Sequence, residues 1–232
     1  MYDAVQVAAD GRTTPARFAA TAADAGFDGV VLATRHDDQA EFDPQTIREA
    51  YGIDVVDGVE IVTTEKGPAS AAISNLRRDT TVLLVRGGTP TINRYAVESP
   101  AVDVLRAPLA DDGDVNHVIV KAAARNDVRL EVNFGPVLRA SGGERVQALR
   151  GLRKLRELLE HFDAPFVVSA DATTHLQVRA PRELVALGER IGFDRKQLRA
   201  GLAEWGSIVT TNRDRRSEEY VAEGVRRGRD EE

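Results

Sequence analysis

Residues 114–139 read DVNHVIVKAAARNDVRLEVNFGPVLR. Val115, Val118, Ile119 and Ala122 recur at the spacing of one helix face. Residues 128–132 then form a β-branched run, closed by the turn Asn133-Phe134-Gly135-Pro136. A helix that feeds a strand so directly is half of a β-α-β unit, and parallel sheets are built from such units.

The same alternation runs outward in both directions. Strands are predicted at residues 4–7, 29–33, 54–62, 81–86, 102–105, 128–132 and 166–169, with a weaker one at 207–210. Amphipathic segments separate them. Thr14-Pro15 reads as the N-cap and first position of a helix that stops at Gly26, and Pro44 opens a short helix ending near Gly52. Pro68, Pro90 and Pro181 stand where further helices would start. An α/β protein with seven or eight such repeats is either a closed TIM-like (β/α) barrel or an open doubly wound sheet. The first strand leads into Val5-Gln6-Val7-Ala8-Ala9-Asp10-Gly11, without G-x-G-x-x-G, which weakens the dinucleotide-binding sheet. Even spacing favours the barrel. At 232 residues the chain is below the ~250 of a typical barrel, so short or missing elements are expected. Residues 1–211 read as one barrel domain. Residues 212–232, with acids and bases interleaved, read as a charged helix over 213–226 and a solvated tail.

Composition narrows the function. The chain has no cysteine, which excludes disulfides, thiolate zinc sites and a Cys nucleophile. No apolar run approaches the ~20 residues of a membrane-spanning helix, and residues 1–10 lack the basic-then-apolar pattern of a secretory signal, so a cytoplasmic protein with no membrane partner is expected. Net charge is −6, unevenly spread: residues 1–120 carry 10 bases and 19 acids, residues 121–232 carry 21 bases and 18 acids. That asymmetry points to a polyanion or an acidic partner meeting the second half.

Barrel chemistry sits where strands end. A metal-dependent phosphoesterase needs several His and carboxylates converging on one or two cations. Here the first strand ends without H-x-H, and His36, His117, His161 and His175 are scattered. His36 with Asp37 and Asp38 is either a small metal site or an exposed acidic loop. Arg86 and Arg106, at neighbouring strand ends beside Gly87-Gly88, suit a phosphate cradle, or else pair with neighbouring carboxylates. His117 and Lys121, four residues apart, project from one helix face, followed at the next strand end by Arg139. Over 144–160, Arg145, Arg150, Arg153, Lys154 and Arg156 share one half of a helix whose other half is Leu152, Leu155, Leu158 and Leu159. Such a basic stripe either binds a polyanion or is a solvated face.

Several of these blocks resemble a known family. Asn116-His117-Val118-Ile119-Val120-Lys121 and Asn126 through Val132-Asn133-Phe134-Gly135-Pro136 are similar to the central block of archaeal ribonuclease P protein component 3, whose eukaryotic relatives are the thirty-kilodalton subunit of nuclear ribonuclease P and ribonuclease MRP. Gly58-Val59-Glu60-Ile61, Val102-Asp103-Val104-Leu105, Ser169-Ala170-Asp171-Ala172 and Val178-Arg179-Ala180-Pro181-Arg182-Glu183-Leu184 resemble further blocks of it, in order. The resemblance implies a barrel related to that of the polymerase and histidinol phosphatase family, with its metal ligands lost. It implies a non-catalytic subunit of the enzyme that removes the 5′ leader of precursor tRNA. Its partners would be ribonuclease P RNA, precursor tRNA, the small ferredoxin-like component 2 and other protein subunits. Mg²⁺ would serve the RNA, with no cofactor on the protein. It also places Arg86, Arg106, His117, Lys121, Arg139 and Arg179 among the family's basic or polar surface residues. The alternative is a metal-dependent phosphoesterase of the same barrel type. Only four of the 31 bases are Lys, and this Lys-poor acidic composition resembles that of salt-loving archaea.

Overall fold

The computed structural model describes residues 1–217, 220–222 and 225–226. Strands and helices alternate as β1 (Tyr2–Val7), α1 (Pro15–Asp24), β2 (Gly29–Arg35), α2 (Pro44–Tyr51), β3 (Asp54–Ile61), α3 (Lys66–Leu76), β4 (Val82–Arg86), α4 (Pro90–Val97), β5 (Val104–Arg106), α5 (His117–Asn126), β6 (Arg129–Asn133), α6 (Gly135–Arg139), α7 (Gly142–Phe162), β7 (Phe166–Ser169), α8 (Pro181–Ile191) and α9 (Arg195–Arg215). The helix starts follow their caps. Thr14 accepts the Arg17 N–H ahead of Pro15, and Asp43 accepts those of Gln45 and Thr46 ahead of Pro44. Gly52 ends α2 in the left-handed conformation, at φ 63°.

The seven strands pair in parallel in the order β1 through β7. Side chains alternate between two cores. Val5, Val30, Leu32, Val55, Leu83, Leu105, Leu130 and Val168 point out to the helices. Ala4, Val31, Ala33, Val56, Val82, Leu84, Val104 and Val167 fill the barrel.

No backbone ladder joins β1 to β7, and two devices close this seam. In its upper half the Gln6 N–H donates to the Ala172 carbonyl at 2.8 Å, the Ser169 hydroxyl donates to the Ala4 carbonyl, and the buried Asp3 carboxylate accepts the Ala4 and Ala170 N–H groups. In its lower half α9 lies in the gap. Trp205, wholly buried, joins the barrel core with Ile208 and Val209 and donates Nε1–H to the Val168 carbonyl at 2.9 Å. Gly201 permits this approach, since a Cβ there would stand 2.8 Å from the Phe166 ring. The helix then crosses the strand N-termini. Asn212 donates to the Thr81 carbonyl and to Asp103, and Arg213 pairs with Asp54 at 2.7 Å.

Two expectations are corrected. Residues 207–210, predicted as a strand, lie within α9. Their β-branched run sits inside a longer pattern, Leu198, Leu202, Trp205, Ile208, Val209 and Asn212, whose helical period decides the matter. The helix expected over 213–226 ends at Arg215, and its last turn belongs to the barrel plug rather than to a separate tail. Tyr220–Ala222 and Val225–Arg226 pair antiparallel, and the remainder of the expected tail lies outside the described residues. Among the described residues no helix is long and apolar enough to cross a membrane.

Candidate nucleic-acid interface

The C-terminal mouth of the barrel holds a cluster of buried charges. Inward positions near the ends of β3, β5 and β6 carry Glu60, Arg106 and Glu131, and Asp171 follows β7. All four are buried, Arg106 completely. Its Nη2 donates to Asp171 Oδ1 at 2.8 Å, and its Nε lies 3.4 Å from Glu131 and 3.8 Å from Glu60. Burial opposes the charge on Arg106, but Glu60, Asp171 and Glu131 outweigh it and raise its pKa. Burial also pushes the Glu131 carboxyl up to about 7, against the pull of Arg106, and the Asp3 carboxyl likewise to about 7. The other oxygen of Glu131 accepts the Ala107 N–H at 2.7 Å, holding that residue at the unusual φ of 46°.

Arg106 is therefore a correction to the predicted phosphate cradle. It faces three carboxylates inside the barrel, and Arg86, beside it in the β4–β5 register, turns to Glu60 at 3.7 Å. Gly87 serves packing rather than a ligand, because a Cβ there would collide with Asn93 and Pro108. The donor set does not fit a divalent cation either. The space at which Glu60, Glu131 and Asp171 converge is filled by a guanidinium, which supplies the neutralising charge. The His36 cluster resolves as a braced loop. His36 Nδ1 accepts the Val62 N–H, and the Arg35 fork holds the Asp37 carboxyl at about 2. Among the described residues no group of three or more potential ligands could hold a metal.

The remaining predicted residues separate into structural and free ones. Arg139 donates to the Ala170 carbonyl and approaches Asp171, tying down the loop after β7, and Arg179 caps the Leu176 and Val178 carbonyls. Arg145 caps the Ala140 carbonyl, Lys154 pairs with Asp114 at 2.7 Å, and half-buried Arg156 pairs with Glu160 at 2.7 Å. Arg150 and Arg153 are exposed and have no hydrogen-bond or ion-pair partner among the described residues. The α7 helix buries Leu152, Leu155 and Leu159, so the basic face points to solvent as its pattern predicts.

The neighbouring α5 is capped by Asn116, whose side chain accepts the Val118 and Ile119 N–H groups. His117 and Lys121 are exposed on it, as expected. Val118, expected in the stripe against the barrel, is instead 44% exposed; Val115, Ile119, Ala122 and Ala123 hold the helix down. Lys121 Nζ stands 5.1 Å from the centroid of the Phe162 ring at the end of α7, a cation–π contact alongside the packing of the two helices. A groove of about 380 Å³ between α4 and α5 is lined by His117, Val118, Lys121 and Arg125 and by Arg94 with its ion-pair partner Glu98 at 2.8 Å. Arg125 was missed in the sequence; its i, i+4 spacing from Lys121 was the available signal.

Comparison with known proteins bears on this arrangement. A sequence profile of the family RNase P subunit p30 matches residues 1–217. A protein of Haloarcula marismortui called ribonuclease P protein component 3 is 54% identical over 226 residues, covering 97% of this chain and 96% of its own length. A chain in a cryo-EM structure of archaeal ribonuclease P with mature tRNA superimposes with a TM-score of 0.83 at 24% identity, with both chains fully covered. Histidinol phosphate phosphatase from Lactococcus lactis gives 0.55 at 11% identity, over 83% of this chain and 94% of that one. At these identities the two structures speak for the fold, a barrel of the kind expected.

Proposed function

The chain belongs to the RNase P subunit p30 family, and on that premise we propose that it supports ribonuclease P RNA in removing the 5′ leader of precursor tRNA without doing the chemistry itself. It is a protein subunit of ribonuclease P. The observation that carries the supporting role is the exposed cationic surface of the packed helices α5 and α7, where His117, Lys121, Arg125, Arg150 and Arg153 face outward. Guanidinium and ammonium groups free of carboxylates suit RNA phosphates. The carboxylate cluster at the mouth argues against the metal-dependent phosphoesterase reading, because Arg106 takes the place a catalytic cation would need. In this reading Mg²⁺ serves the RNA, precursor tRNA is the substrate, component 2 and other subunits are the protein partners, and the setting is the cytoplasm.

The test is a ribonuclease P reconstituted with the His117→Ala/Lys121→Ala chain. These residues are exposed, and the variant gives up only the Lys121–Phe162 contact, worth about 0.5–1 kcal/mol, so melting should fall by no more than about 4 °C. Cleavage of precursor tRNA should fall most at low Mg²⁺, where the RNA leans hardest on protein. Wild-type cleavage across the whole Mg²⁺ titration would remove these two residues from the interface.

A further inference from the structure

At the opposite end of the barrel from the charged mouth, α3 and α9 meet. Arg77 and Arg78 follow α3, and Arg215 and Arg216 end α9, nearly 140 residues later in the chain. With Asp103 and Asn212 they line a concavity of about 580 Å³. Two of the four guanidinium groups are built into its wall. Arg77 donates to Asp103 at 2.7 Å and to the carbonyls of Ala101, Thr80 and Thr81. Arg216 donates to the Thr81 hydroxyl at 2.7 Å and to the Asp79 carbonyl. The lining acid, Asp103, is fully engaged, accepting from Arg77, the Leu83 N–H and Asn212. Arg78 and Arg215 are exposed and have no hydrogen-bond or ion-pair partner among the described residues. Asp103 pairs with Arg77 and Asp57 lies 3.9 Å from Arg216, so the surplus positive charge of the concavity is that of Arg78 and Arg215, in a chain whose first 120 residues are strongly acidic.

We propose that this pole is a second RNA-contacting site, in which Arg78 and Arg215 grip backbone phosphates against a wall formed by Arg77 and Arg216. The inference rests on the supporting role proposed above and extends it to a surface away from α5 and α7. Guanidinium forks pair bidentately with phosphate oxygens, and the two fixed arginines lose no side-chain freedom when a phosphate arrives. Contact at this range also suits a salty medium. At 1 M salt the Debye length is ~3 Å, so distant charges are screened and only direct, pre-organised pairs persist.

The experiment titrates ribonuclease P RNA onto the wild-type chain assembled with its protein partners, at several KCl concentrations. It repeats the titration with Arg78→Ala/Arg215→Ala and, separately, with Arg150→Ala/Arg153→Ala. Arg78 and Arg215 hold nothing in the fold, so the first variant should melt with wild type. It should bind RNA about tenfold more weakly, and its affinity should fall less steeply with salt, by about 0.7 in log–log slope per lost phosphate contact. Unchanged affinity and slope would overturn the pole. Weakened assembly with the protein partners at unchanged RNA affinity would mean that the surface takes an acidic protein, which also overturns it. If only the Arg150→Ala/Arg153→Ala chain loses affinity, the helical face stands and the pole falls; if only the pole variant loses it, the reverse holds. Wild-type binding by both variants overturns both.

Discussion

Replacing Arg106 by Met keeps most of the side-chain volume and removes the charge. The residue is wholly buried, with carboxylates of Asp171, Glu131 and Glu60 at 2.8, 3.4 and 3.8 Å. Taking away one partner of a buried ion cluster leaves the others uncompensated, typically at about 3–5 kcal/mol. For a chain of this length each kcal/mol is worth roughly 2–4 °C, so melting should fall by about 10 °C at neutral pH. The loss should depend on pH in a defined direction. Burial holds the folded-state carboxyls of Glu131 and Asp3 at about 7, whereas in the unfolded chain they titrate near ~4. Between those values the folded chain binds more protons than the unfolded one. Stability from this source is complete below about pH 4 and declines as pH rises through about 7. Without Arg106, Glu131 loses the cation that offsets its burial, so the decline should steepen. Circular dichroism melts in molar KCl at pH 5, 6.5 and 8 provide the assay, with the deficit largest at pH 8. Arg106→Lys, which keeps the charge and loses the fork, should fall between wild type and Met. A Met variant melting within about 2 °C of wild type at pH 8, or with an equal deficit at pH 5 and pH 8, would refute the account of the mouth.

Two further outcomes follow from the fold. Trp205→Ala should destabilise by about 3–5 kcal/mol, because it empties the seam between β1 and β7 and leaves the Val168 carbonyl without its donor; urea unfolding measures this, and a loss below about 1 kcal/mol would mean that α9 does not close the barrel. The melting temperature should rise from low to molar KCl as the 19 acids of residues 1–120 are screened, and a flat KCl series would show that their repulsion does not limit stability.

The local readings came through because they rest on local forces. Thr14-Pro15 and Pro44 mark helix starts through hydrogen bonds a few residues long. The Leu152, Leu155 and Leu159 stripe fixes which side of α7 faces the barrel, and the β-branched runs mark seven strands correctly. Motif order over nearly the whole chain was enough to place it in its family. What the tertiary structure alone decided depends on groups distant in sequence. Arg106 at a strand end reads as a surface base, since a lone buried charge is prohibitively costly. It is tolerable inside only because β3, β6 and the end of β7 aim Glu60, Glu131 and Asp171 at the same point. Residues 207–210 favour a strand by their own propensity, and the seam that receives Trp205 exists only once β1 and β7 stand side by side, so the role of α9 as the plug has no local signature. The same holds for Arg77 and Arg78 with Arg215 and Arg216. Each pair is an ordinary exposed base pair in the sequence, and the two become one cationic surface only where the last helix crosses the strand N-termini and brings its final turn against the end of α3.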